Sequence, residues 1–128
     1  MARRRQLRAP RSVNDGNGFV FIDHLGNICP SGFLPVQRGN VRTTSLAAVY
    51  RDDEIFMRLR DADALMGKCG RCRFREVCGG SRSRAFAATG AVMAFDPMCA
   101  YEPGPYAEPL VGSERSGAAG RAAVSASV

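Results

Sequence analysis

The 128-residue sequence predicts a small α+β fold: an N-terminal β-hairpin followed by short helices around a four-cysteine metal cluster. Three observations predict it. Phe19, Val20, Phe21 and Ile22 form one apolar run and Ile28 begins a second, with a polar break containing Gly26-Asn27 between them, the pattern of a hairpin. Apolar residues then recur at helical spacing behind residues suited to cap helices. Finally, Cys69, Cys72, Cys78 and Cys99 collect four of the five cysteines into one C-x2-C-x5-C-x20-C segment.

Taken in order, residues 1–17 have no hydrophobic period and end in the turn-forming NDGNG, so they read as a basic linker or tail. The folded unit is expected over 18–103, with strands near 19–22 and 27–30. His24, the sole histidine, falls in the break between them and reads as a solvated turn residue rather than a ligand or an acid–base group. Gly39-Asn40 marks another turn. Thr44 or Ser45 then caps a helix LAAVYRD, in which Leu46, Val49 and Tyr50 fall at i, i+3 and i+4. Asp52 or Asp53 caps a second helix, EIFMRLRDADALM, with Ile55, Phe56, Leu59 and Met66 as its buried stripe and Gly67 as its stop.

The cysteine segment follows directly. Cys69-Gly70-Arg71-Cys72 places two thiols on one tight turn, and Cys78-Gly79-Gly80 leads into a helix from Ser81 to Thr89 that Gly90 ends. AVMAFDP reads as a short extended return that brings Cys99 back to the other three, with Pro97 fixing the approach. Phe95 and Tyr101 are placed either to cover the metal or to fill the core. Residues 104–128 lack periodicity and become rich in Gly, Ala and Ser, the composition of a disordered tail.

Charge and composition exclude several function classes. Arg3, Arg4, Arg5, Arg8 and Arg11 supply most of the net charge of +6, which leaves the folded part close to neutral. No aromatic is interleaved with those arginines to stack on bases, so a nucleic-acid partner is not expected. No apolar run reaches the about 18 residues of a membrane span, and the basic start is not followed by the apolar stretch of a secretory signal. A cytoplasmic, reducing location is the expectation, and there closely spaced cysteines bind metal more often than they pair. No Ser/His/Asp or paired-carboxylate set suggests an independent activity.

Four thiolates suit structural zinc or an iron-sulfur cluster. Zinc ribbons usually pair two short knuckles, and this chain has only one, which favours a cluster. The local charge agrees: Lys68, Arg71, Arg73, Arg75, Arg82 and Arg84 surround the ligands with only Glu76 opposing along the sequence, and cations favour thiolate ligands and a higher reduction potential.

These residues resemble a known family. A hairpin ending in Cys29, the Gly39-Asn40-Val41 turn, two helices, C-x2-C-x5-C and a late Cys99 are similar to the SPASM domain, the C-terminal auxiliary-cluster domain of radical S-adenosylmethionine (radical SAM) enzymes. The resemblance runs from about Asn17 to Pro103 and is densest over CGRCRFREVCGGSRSRAFAATG. The family pattern is C-x9-15-G-x4-C, then C-x2-C-x5-C-x3-C and a final cysteine, which together hold two 4Fe-4S clusters. Here two of those ligand positions are Thr44 and Arg82. The resemblance therefore implies one cluster, held by Cys69, Cys72, Cys78 and Cys99, with Cys29 left as a lone, partly buried thiol.

The resemblance also implies a radical SAM barrel as partner, with a peptide or tetrapyrrole as substrate. Electron transfer and substrate positioning would be the module's part. The 128 residues contain no C-x3-C-x2-C motif for cleaving S-adenosylmethionine, so no stand-alone activity is expected, and residues 1–17 fit the remnant of a connection from a barrel. The alternative cofactor is Zn2+ in a structural interaction module without redox chemistry. A fragment that never folds stably is a third reading. In either metal-bound case, ligation would supply stability that so small a core lacks.

Overall fold

A computed structural model describes residues 14–105; the predicted tails lie largely outside them. Three antiparallel strands open the unit, β1 (Phe21–Ile22), β2 (Asn27–Cys29) and β3 (Gly39–Asn40), in that spatial order. Phe21 pairs with Cys29 and Ile22 with Ile28, while Asn27 pairs with Asn40 and Ile28 with Gly39. The hairpin is thus present with shorter strands than expected. Its break is organised by Asp23, whose carboxylate accepts from the Leu25 and Asn27 amides and from the Asn27 side chain. Those Asn27 bonds hold the Asp23 pKa below its ordinary value. Gly26 completes the turn at φ +87, a conformation that suits glycine. The third strand corrects the reading of Gly39-Asn40 as a simple turn: the Arg38 amide donates to the Ile28 carbonyl and the Val41 amide to that of Gly26, which lays this segment along β2.

Two helices pack on this sheet. Ser45 caps α1 (Leu46–Asp52), its Oγ accepting from the Ala48 amide at 3.3 Å, and Asp53 caps α2 (Glu54–Leu59) by accepting from the Ile55 and Phe56 amides. Asp53 also takes a forked ion pair from Arg38, with Nη2 at 2.9 Å, so one carboxylate joins the sheet edge to the corner between the helices. The second helix ends at Leu59 rather than continuing to Met66. Asp61 leaves helical geometry at ψ 106 and its side chain accepts from the Asp63 amide, which starts a separate 3-10 turn over Ala62–Ala64. Met66 is 57% exposed and stands outside the predicted stripe, whereas Phe56 and Leu59 are buried and Ile55 is partly buried.

The core has two parts. Ile28, Val49 and Phe56 fill the space between sheet and helices, and Leu34, Leu59, Val92 and Met93 form a second cluster under the cysteine segment. That segment carries α3 (Gly67–Gly70) and α4 (Arg82–Thr89). Ser81 caps α4 and Gly90 closes it at φ +75, as the sequence reading required. Gly67, expected only to stop a helix, instead opens the single turn of α3.

The return to Cys99 is built from turns and not from extended chain. Ala94 bonds back to Ala91 and Cys99 back to Asp96 through backbone amides, and the Asp96 carboxylate accepts from the Met98 amide. The NDGNG turn, assigned from sequence to the linker, is tied into the fold. The Asn14 side chain donates to the Gly80 carbonyl at 2.6 Å, Asp15 accepts from the Ser83 amide and hydroxyl, and the Gly16 amide donates to the Pro30 carbonyl. Among the described residues no helix is long and apolar enough to cross a membrane.

Candidate metal centre

The four predicted ligands lie on three pieces of chain. Cys69 sits in α3 and Cys72 just beyond it, Cys78 precedes α4, and Cys99 follows the Asp96 turn. None of the five cysteines is in a disulfide. Cys69 is buried, and its Sγ accepts from the Asp96 amide at 3.3 Å and faces Arg82 Nη2 at 3.8 Å. Cys72 Sγ accepts from the Phe74 amide and Cys78 Sγ from the Gly80 amide, both at 3.4 Å. The Cys99 backbone is fixed from both sides, since its amide reaches the Asp96 carbonyl and its own carbonyl accepts from Lys68 Nζ.

Cys69 and Cys99 lie within electrostatic reach of Lys68, and Cys78 and Cys99 within reach of Arg84. Each of these two cations thus lies near cysteines from two different pieces of chain. Among the described residues, however, no three Cys, His, Asp or Glu side chains converge closely enough to enclose an ion.

The donor chemistry fits a four-thiolate group. Three of the sulfurs have N–H donors aimed at them, an arrangement that stabilises sulfur carrying negative charge. Gly80 keeps the approach open: a Cβ there would stand 2.8 Å from Arg82 Nη2 and 3.1 Å from Cys69 Sγ. His24 takes no part and is exposed in the hairpin turn.

The surrounding cations differ from the sequence expectation of a ring opposed only by Glu76. Lys68 pairs with Glu102 at 2.8 Å, Arg75 with Asp63 at 3.3 Å and Arg84 with Asp96 at 2.6 Å, so three of the six are partly neutralised by acids that the fold imports. The Glu102 bond raises the Lys68 pKa, and the Asp96 bond raises that of Arg84. Asp96 was not singled out from sequence and is the centre of the arrangement. Only 2% exposed, it accepts from the Ser81 and Met98 amides as well as from Arg84, while its own amide donates to Cys69. The Arg84 bond first, and the two amides with it, outweigh burial and hold its pKa well below the usual carboxylate range. A signal for it existed in the Asp-Pro-Met-Cys run, because Asp commonly accepts from the amide two residues on.

Cys29 is buried in β2, and burial, with the nearby Asp23 charge, pushes its thiol pKa up and so disfavours the thiolate that a metal needs. Thr44, which stands where the resemblance would place a cysteine, is exposed. Tyr101 packs edge-on against Phe74 with ring centres 5.3 Å apart, and Lys68 Nζ lies 5.8 Å from the Phe95 ring centre. Met66, Phe95, Met98 and Tyr101 are exposed. An open cleft of about 500 Å³ runs along Cys78, between Phe33 and Arg84.

No family model matches the chain. Curated proteins do. The chain is 44% identical over 89 residues to the AdoMet-dependent heme synthase of Methanosarcina barkeri, a match covering 70% of this chain and 26% of that protein. It is 43% identical over 93 residues to the protein of the same name from Nitratidesulfovibrio vulgaris, covering 73% of this chain and 25% of the relative. The PqqA peptide cyclase of Rhodopseudomonas palustris is 36% identical over 106 residues, with 73% and 27% covered. The chain thus spans about a quarter of the length of the curated relatives it matches, and it is similar to that quarter of AdoMet-dependent heme synthases and PqqA peptide cyclases.

Proposed function

We propose that this chain is an auxiliary-cluster module, SPASM-like in kind, of a radical S-adenosylmethionine protein. Cys69, Cys72, Cys78 and Cys99 hold its single 4Fe-4S cluster. The observation that carries the reading is the set of N–H groups directed at Cys69, Cys72 and Cys78. The similarity to AdoMet-dependent heme synthases supports it independently.

A four-thiolate cluster supplies reversible one-electron exchange. The chain's own residues do the rest. Asp96, Phe74 and Gly80 direct backbone amides at sulfur, and Lys68 clamps the Cys99 segment to α3. The partner is a radical S-adenosylmethionine barrel in the cytoplasm, and the module serves electron transfer and substrate positioning there. Between a peptide and a tetrapyrrole substrate, the higher identity to heme synthases, 43–44% against 31–40% for the peptide cyclases, favours the tetrapyrrole.

Anaerobic reconstitution of the full chain with iron and sulfide tests the cofactor. About four irons per chain with broad visible absorption are expected, and Cys72→Ser should lose most of both. A colourless protein that takes up one zinc and no iron would end the cluster reading.

A further inference from the structure

Arg82 is 2% exposed, in a class of side chain that is almost never fully buried unless paired. Among the described residues it has no carboxylate at ion-pair distance, unlike Lys68, Arg75 and Arg84 around it. One end of its guanidinium is tethered, with Nη1 donating to the Val92 carbonyl at 3.0 Å and the Ala94 carbonyl at 2.7 Å. The other end points at the metal centre, with Nη2 3.8 Å from Cys69 Sγ, and Nε is buried without a partner.

Two carbonyl dipoles orient a guanidinium but do not cancel its charge, and burying an unpaired cation is costly. A neutral thiol supplies no counter-charge, whereas an anionic thiolate group beside Cys69 does. Glycine at position 80 leaves the gap between Nη2 and Sγ clear. The buried and half-tethered arginine is therefore shaped for an anion at that spot.

We propose that Arg82 is the built-in counter-cation of the Cys69 ligand, a positioning residue that holds this sulfur and raises the reduction potential of the cluster it helps bind. The inference rests on the cluster reading above and deepens it. A fixed positive charge next to one ligand stabilises the reduced, more negative form, so its removal lowers the potential.

The test uses the full chain reconstituted anaerobically, as wild type, Arg82→Lys and Arg82→Gln, with iron content and midpoint potential as readouts. Arg82→Gln should shift the one-electron equilibrium toward the oxidised form by at least tenfold, about 59 mV. Arg82→Lys, which keeps the charge, should restore most of that shift. Equal potentials in wild type and Arg82→Gln at equal iron content would overturn the proposal.

Should Arg82→Gln not load, the wild type decides. With 15N-labelled arginine guanidinium groups, the reduced protein should show a weak 15N hyperfine coupling that Arg82→Lys abolishes, and a coupling absent from the wild type or unchanged in Arg82→Lys refutes the contact. A wild-type chain that binds no iron defeats the cluster reading itself and this inference with it. Loading with no Arg82 effect defeats this inference alone.

Discussion

Replacing Asp96 by alanine should cost about 3 kcal/mol. Its carboxylate, 2% exposed as a residue, accepts from the Ser81 amide at 2.9 Å, the Met98 amide at 3.1 Å, and Arg84 through Nε at 3.1 Å and Nη2 at 2.6 Å. Breaking a buried ion pair from one side costs about 3–5 kcal/mol, largely because the partner charge is stranded. The Arg84 side chain is 57% exposed and turns to water instead, so that share drops out. What remains is two amides deprived of an anionic acceptor, at about 1.5 kcal/mol each. Asp96→Asn keeps one oxygen for one amide and should lose about half as much.

In a domain of this size 1 kcal/mol moves Tm by about 4–8 °C, so Asp96→Ala should melt about 12–24 °C lower. The assay is anaerobic thermal unfolding of the full chain with reductant, followed by far-UV circular dichroism. A fall of less than about 4 °C for Asp96→Ala would refute the reasoning. The pH dependence has a definite sign. The folded pKa lies below the ordinary 3.8, so the contribution is complete above that value and is lost as pH falls through the lower folded one.

Asp53→Ala removes both the cap of α2 and the partner of Arg38, and should cost about 2 kcal/mol in urea unfolding, with Asp53→Asn losing less because it can still cap. Burial opposes ionisation of Asp53, but the Arg38 bond and the Phe56 and Ile55 amides outweigh it and its pKa is lowered. Its contribution too is full above 3.8 and fades below, and a wild-type urea midpoint that rises on acidification under that value contradicts it. Two glycines separate close approach from backbone strain. Gly70→Ala would drive a Cβ into the Leu65 carbonyl oxygen and should cost about 3 kcal/mol or more, with loss of iron as α3 shifts. Gly90→Ala meets nothing within 4 Å and should cost about 1 kcal/mol through its φ of +75 alone. Cys29→Ser should leave iron content unchanged while lowering stability by about 1 kcal/mol, and a proportional loss of iron would make Cys29 a ligand.

The elements legible in the sequence are those whose signals are local. Ser45, Ser81 and Gly90 each satisfy orphaned backbone groups within three or four residues, so caps could be placed without knowing what the helices pack against. The end of α2 was not legible, because DADAL continues a helical period and only the competing Asp61 side chain breaks it. Strand β3 is two residues of poor strand propensity whose partners lie more than ten residues upstream, so nothing nearby announces it. The same distance hid the electrostatics of the centre. Asp63, Asp96 and Glu102 neutralise cations 12, 12 and 34 residues away in sequence, and a count of charges along the cysteine segment has no access to those pairings.

Those imported acids change what the centre's arginines do. If all six cations had been unpaired, the field at the sulfurs would have been a sum over exposed, mobile side chains, screened by solvent and salt. Pairing Lys68, Arg75 and Arg84 converts them into tethers: Lys68 ties α3 to the Cys99 segment, Arg75 ties the Cys72–Cys78 loop to the 3-10 turn, and Arg84 ties α4 to the Asp96 turn. The tethers hold the three pieces of chain that carry the cysteines near one another through contacts that do not pass through sulfur. Lys68 and Arg84 still reach Cys69, Cys78 and Cys99 electrostatically, but the cation in direct contact with a sulfur is Arg82, which is buried, oriented by two carbonyls and sheltered from salt. On this division of roles, raising the ionic strength should weaken the tethers and lower stability, yet leave the midpoint potential nearly unchanged. A potential that tracks salt as strongly as stability does would return the electrostatic work to the surface arginines.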